Sequence, residues 1–405
     1  MKIKFICIFF IIIIFCTSCD NTSEKNASSS IDNSDIEKST LVDEDSLYAY
    51  NENSSQNYWG SFAGSNYIRE VDNGYYFFFN DVLCYFDKNS KSSTVVCSSL
   101  NCTHDNEECS AYFGIYGDAS QYGFNTMGFE IYEDYIYLIG YDISEVWDCY
   151  LYRCNLDGTG RTKIGYLYSI DADEDNGYIT SYELTMHNGC LYGILDSENE
   201  YSCISKITLD GEVTKIVECN EGYYPSIDSV QCYNNYVYYI EKWYESEDYT
   251  GYNSCLYRYN INSEEIECLI EGFYYNFGYL LIDDNKVLYM NTDENFCVKD
   301  ISTKDESVII ESNAEDLWSF SFDGRYIYIV SGDDSVLDVY DTEGNLIDEI
   351  TDFDNCFFGD SEFLFVEASC EPESGQSCDG WSWWVLDKSQ IGETDKDWIM
   401  IATTE

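Results

Sequence analysis

From about residue 58 onward, short runs of aromatic and branched apolar residues recur along the chain, separated by Gly, Asn and Asp turns. The clearest are Tyr75–Phe79, Tyr135–Ile139, Leu191–Leu195, Tyr236–Ile240, Val287–Met290, Tyr326–Val330 and Phe363–Val366. Most follow a turn such as Asp72-Asn73-Gly74, Asn188-Gly189 or Asp323-Gly324, and most are followed by a second hairpin. The best second hairpin is Leu151–Ile164, where Asp157-Gly158 separates two alternating runs. Asp-Gly favours a tight turn because Gly accepts positive φ. No long segment keeps the 3.6-residue period of an amphipathic helix, so the pattern predicts strands throughout.

The unit is strand, turn, strand, loop, strand, turn, strand, repeating at roughly 37–60 residues, the signature of a β-propeller. Two neighbours share a phrase: Glu221-Gly222-Tyr223-Tyr224 returns as Glu271-Gly272-Phe273-Tyr274. The expected fold is therefore all-β, a propeller of four-stranded blades over 58–405. Seven runs predict seven blades, with six or eight as the neighbouring solutions. Trp398–Ala402 reads as the last outer strand. Closing the ring packs sheet faces together and leaves only short outer edges.

The first 18 residues differ in kind. Lys2 and Lys4 precede the apolar run Phe5–Phe15, whose 11 residues are too few for an ordinary membrane-spanning helix. Phe15-Cys16-Thr17-Ser18-Cys19 resembles a bacterial lipobox, with Cys16 where Leu is usual. The resemblance implies cleavage before Cys19 and diacylation of that residue, so that lipid tethers an exported protein to the membrane. The alternative is a plain secretory signal. Residues 20–56 are rich in Ser, Asn, Asp and Glu. They cannot bury enough apolar surface to order themselves, and as a flexible tether would span roughly 30–35 Å. The expected organisation is a signal peptide (1–18), a lipidated cysteine and tether (19–57), and the propeller (58–405).

Charge narrows the partners. Asp and Glu number 76 against 20 Lys and Arg, and loss of Lys2 and Lys4 would carry the formal charge from −56 to −58. Such a surface repels nucleic acid and attracts cations and basic partners. Nucleic acid is therefore excluded; a protein or glycan ligand is expected. Nineteen cysteines are many for an exported chain. Cys203, Cys255 and Cys297 occupy one place in three successive repeats and read as small buried apolar residues, which implies an environment where thiols survive.

One cluster carries metal chemistry. Cys97, Cys102, His104 and Cys109 place three thiols and an imidazole within 13 residues, a candidate Cys₃His set for structural Zn²⁺. Four protein ligands leave no open position, so such an ion would staple a loop and would not activate water. The competing readings are disulfides, with Cys84 supplying the missing partner, and redox-active thiols. Asp171–Gly177 has carboxylates at a calcium-loop spacing but departs from that pattern, and reads better as a solvated acidic loop. Trp381, Trp383 and Trp384 could stack on a sugar or grip a partner, or could fill the space between blades. No catalytic residue can be named: His187 heads a turn with no nucleophile motif near it, and GxSxG, HExxH and phosphate-loop motifs do not occur.

The hairpin LYRCNLDGTGRTKI resembles the strand–turn–strand phrase of YWTD and TolB-type propellers through Leu151, Arg153, Asn155 to Gly158 and Arg161. The whole layout looks like that of clostridial-type surface lipoproteins, on the outer face of a Gram-positive membrane. These families include receptor modules, assembly factors and enzymes, so the resemblance implies the fold. The leading expectation is a lipid-anchored binding or scaffold module. The alternatives are a polysaccharide lyase or hydrolase working in the central funnel, and metal or redox sensing through the Cys97–Cys109 cluster. A funnel lined by convergent charged and aromatic groups would favour the enzyme. A funnel plugged by apolar residues, with ligand features on a rim, would favour the binder.

Overall fold

The computed structural model describes residues 68–404, apart from 115–121, 144–145, 172–183, 198–199, 220–221, 273–277, 284, 312–316, 332–335, 359–361 and 375–379. Cys19, the tether and nearly all of the acidic stretch at 171–177 lie outside the described residues. Seven antiparallel four-stranded sheets follow one another along the chain, each built from four consecutive strands. They form a seven-bladed β-propeller. Blade 1 spans Ile68–Val95, blade 2 Tyr122–Asp171, blade 3 Leu184–Glu218 and blade 4 Tyr223–Glu271. Blade 5 spans Tyr279–Ile310, blade 6 Leu317–Ile350 and blade 7 Asn355–Thr403.

Each of the seven apolar runs forms the second strand of a blade, as in Gly74–Phe79 and Tyr135–Ile143. That strand is sandwiched within its own sheet and between two neighbouring sheets, which explains why it is the most continuously apolar. Seven buried clusters fill the seven gaps between successive blades. Aromatic rings fill much of this space. Tyr75 and Phe86 of blade 1, for example, meet Phe363 and Phe365 of blade 7 edge-on. Blades 1 and 7 are each complete in sequence, so side-chain packing closes the ring without a shared strand.

The outer hairpin of one blade leans on the outer edge of the blade before it. Gly344, in the turn of blade 6, has φ +84°, and a Cβ there would stand 2.0 Å from the Ile309 carbonyl oxygen of blade 5. Gly158 of blade 2, at φ +73°, would meet Ser110 O at the same 2.0 Å. Only glycine suits both the left-handed conformation and the close approach.

On the innermost strands, Arg69 of blade 1 holds Glu130 of blade 2 with two hydrogen bonds of 3.0 Å. Both side chains are nearly inaccessible to solvent. The Met186 backbone N–H of blade 3 also donates to Glu130, and burial lifts the Glu130 carboxyl above its ordinary pKa while Arg69 opposes the rise. The charge of Glu130 is felt at Cys232 of blade 4, whose thiol burial already pushes well up. Four blades thus converge on one paired carboxylate. A second buried pair, Asp323–Lys388, joins blades 6 and 7. Asp323 also accepts from the Arg325 and Tyr326 backbone N–H groups at 2.8 and 2.7 Å and from the Tyr328 hydroxyl at 2.7 Å.

Candidate metal centre

The outer strand of blade 1, Ser92–Val95, ends where Val96 N–H still bonds to Leu83 O at 3.1 Å. The chain then leaves the sheet, makes the cysteine loop, and returns to the same edge. There Leu83 N–H donates to Ala111 O and Phe113 N–H to Asp81 O, both at 2.8 Å. Cys109, Ala111 and Phe113 alternate inward and are buried between blades 1 and 2. The loop is thus an excursion from an edge strand, with its C-terminal end anchored in the core.

That excursion brings Cys97, Cys102, His104 and Cys109 together, their ligating atoms all within 4.8 Å of one another. His104 Nδ1 lies 3.2 Å from Cys109 Sγ. Asn101 and His104 adopt left-handed backbone conformations, φ +58° and +59°, which turn the loop sharply enough to face the side chains inward. Asn106 ties the far side: its carbonyl accepts from Cys109 N–H, and its side chain from Glu108 N–H, both at 3.0 Å. A tetrahedral zinc set with bonds of about 2.0–2.3 Å puts its ligand atoms roughly 3.5–3.8 Å apart. The cluster therefore needs to contract by no more than about 1 Å to close on such an ion. The four groups could hold a metal ion such as zinc.

The thiols are electrostatically unequal. The Ser99 N–H, 3.4 Å from Cys97 Sγ, pulls that thiol down to about 6, helped by the neighbouring thiols. Burial pushes Cys109 up to about 11. A cation among the three would draw all of them toward thiolate. Cys84 is buried in the seam between blades 1 and 7, in a different cluster from Cys109. Cys84, Cys97, Cys102 and Cys109 are free thiols. Cys203, Cys255 and Cys297 are buried.

Two features of this centre are not marked in the sequence motif itself. One is the anchor at Phe113, for which the alternation Cys109, Ala111, Phe113 was the available signal. The other is Arg161 from the outer hairpin of blade 2. Its guanidinium donates to Ser110 O at 2.6 Å and Tyr112 O at 2.7 Å and lies over the Phe113 ring. The hairpin Leu151–Ile164 is thus the clamp on the cysteine loop.

The tryptophans separate. Trp383 is buried in the seam between blades 7 and 1, stacked on Phe77 at 5.3 Å. Trp384 is half-buried and packs toward blade 6, and Trp381, just before the strand Ser382–Asp387, is exposed. His187 is fully buried, donates from Nε2 to Asn234 O at 2.7 Å, and has its pKa lowered by burial. Exposed aromatic rings gather instead on blade 4, where Tyr223, Tyr224 and Tyr249 are 43%, 51% and 61% accessible.

No family model matches this chain, and no curated protein sequence matches it. Among solved structures, puromycin hydrolase is similar with a TM-score of 0.52 at 11% identity, over 85% of this chain and 57% of that one. A prolyl endopeptidase is similar at 0.48 and 10% identity, over 86% of this chain and 49% of that one. An oligogalacturonate lyase in complex with manganese is similar at 0.43 and 11% identity, covering 66% of this chain and 74% of that one. The chain spans about half the length of the first two. At these identities the likeness speaks for the propeller fold alone.

Proposed function

We propose that this protein is a lipid-anchored, extracytoplasmic binding module: a rigid propeller, tethered through Cys19, that presents a rim to a partner beyond the membrane. In this reading Cys97, Cys102, His104 and Cys109 hold a structural zinc ion that keeps the loop beside blade 2 in place. The observation that carries the binding role is the gathering of exposed tyrosines on blade 4, at a site remote in sequence from the metal loop. The inner-strand charges are compatible with the same reading, because Arg69 and Glu130 are spent on each other. A lyase or hydrolase working through these two groups would need them free to meet a substrate.

The test uses the full-length protein, assayed against polygalacturonate and proline-containing peptides alongside Glu130→Gln. No turnover by the wild type is expected. Turnover that Glu130→Gln abolishes, with folding intact, would overturn the binding role and make the axis a catalytic funnel. Metabolic labelling with an alkynyl fatty acid tests the anchor. Label lost in Cys19→Ser is expected; label retained would contradict it.

A further inference from the structure

Three segments of blade 4 meet at one corner. The strand Tyr223–Tyr233 brings Tyr224, the strand Tyr236–Tyr244 ends in Tyr244, and the loop between that strand and Tyr252–Asn260 brings Tyr249. Tyr224 and Tyr249 stack with ring centroids 4.5 Å apart and planes 7° from parallel. Tyr244 stands edge-on to Tyr249 at 5.2 Å and to Tyr224 at 6.5 Å, and Tyr252 buttresses Tyr244 at 5.3 Å. Tyr224 and Tyr249 both hold left-handed backbones, φ +52° and +60°. Bulky side chains rarely adopt that conformation, and strain of this kind concentrates at functional sites. Here it holds two rings that face solvent.

The same loop carries Glu245, Glu247 and Asp248, all exposed. Ser246 Oγ donates to the Asp248 carboxylate, Thr250 Oγ1 does so at 3.0 Å, and these bonds hold Asp248 below its ordinary pKa. The nearby cation Lys242 is paired with Asp228. Elsewhere this protein sets its own cations over tyrosine rings: Lys163 over Tyr150 at 3.6 Å, Arg258 over Tyr236 at 4.3 Å, Arg153 over Tyr135 at 4.6 Å. Among the described residues no cation lies over Tyr224, Tyr244 or Tyr249. Ring faces and carboxylates are both attractive to positive charge, and the chain's net charge of −56 steers such partners toward it.

We infer that the tyrosine corner of blade 4, with its rim of Glu245, Glu247 and Asp248, binds a cationic polypeptide segment bearing exposed Arg or Lys. The partner's cation lies against a tyrosine face while the carboxylates neutralise it. This deepens the reading of the protein as a binding module and rests on it.

Calorimetric titration of the full-length protein with a blocked tri-arginine peptide at about 0.15 M salt tests the site. Tyr224→Ala/Tyr249→Ala leaves net charge unchanged and is expected to weaken binding at least tenfold. Tyr224→Phe/Tyr249→Phe keeps the rings and is expected to stay within twofold of wild type, which separates loss of the rings from loss of folding. Equal binding by the alanine variant would overturn the inference, because the peptide would then be held by diffuse charge. Binding of neutral N-acetylglucosamine oligomers that needs the tyrosines, without tri-arginine binding, would overturn the cationic partner while sparing the binding module. Binding of neither would overturn the site.

Discussion

The guanidinium carbon of Arg161 lies 3.8 Å from the centroid of the Phe113 ring. Through that contact the outer hairpin of blade 2 holds down the loop that carries Cys109. Arg161→Ala removes the ring contact and leaves Ser110 O and Tyr112 O without this donor. A loss of about 1–3 kcal/mol of stability follows, together with faster release of bound metal to a chelator. Urea unfolding and the rate of zinc transfer to a chromophoric chelator check both. Unchanged rates would mean that the clamp does not serve the metal loop.

Arg69 and Glu130 predict a pH dependence. Burial raises the Glu130 carboxyl above its ordinary 4.5 even with Arg69 beside it. The folded chain therefore holds that proton more tightly than the unfolded chain. Its contribution to stability is complete below about pH 4.5 and declines as pH rises through the native value. Arg69→Ala strands the carboxylate and should cost about 3–5 kcal/mol at pH 7, shrinking toward pH 4 as Glu130 takes up its proton. Denaturant melts at the two pH values measure the difference, and a cost independent of pH would contradict the pairing.

Trp383 and Trp381 should respond oppositely to truncation. Trp383→Ala opens a cavity in the seam that closes the ring, against Phe77 and Phe79, and should cost about 3–5 kcal/mol. Trp381→Ala, at a residue 49% exposed, should fall within about 0.5 kcal/mol of wild type. Thermal melts of the two variants make the comparison.

Much of the fold was readable because its signals are local. Alternation and turn residues act over a few positions, so the second strand of every blade and the outer strand Ile399–Thr403 follow from the sequence. The clustering of Cys97, Cys102, His104 and Cys109 was readable too, since all lie within one loop. What sequence did not reveal depends on chain segments that meet only after folding. Arg69 and Glu130 are 61 residues apart, and Arg161 reaches carbonyls about 50 residues upstream. The tyrosine corner draws on three segments of one blade. Adjacent tryptophans drew attention at 381–384, but contiguity placed them in unlike surroundings, while the scattered tyrosines converged.

The buried thiols should be chemically silent. Burial pushes Cys84, Cys149 and Cys154 up to about 12, so almost none is thiolate at pH 8. Iodoacetamide followed by peptide mass analysis should leave all three unmodified in the folded protein and label them in urea. Labelling in the native state would show that these blade interfaces open.

The metal centre is tested most directly by elemental analysis of the full-length protein purified without oxygen. About one zinc ion per chain is predicted, falling toward zero in both Cys102→Ala and His104→Ala. A wild-type protein without metal, with Cys97, Cys102 or Cys109 recovered in disulfides, would contradict it.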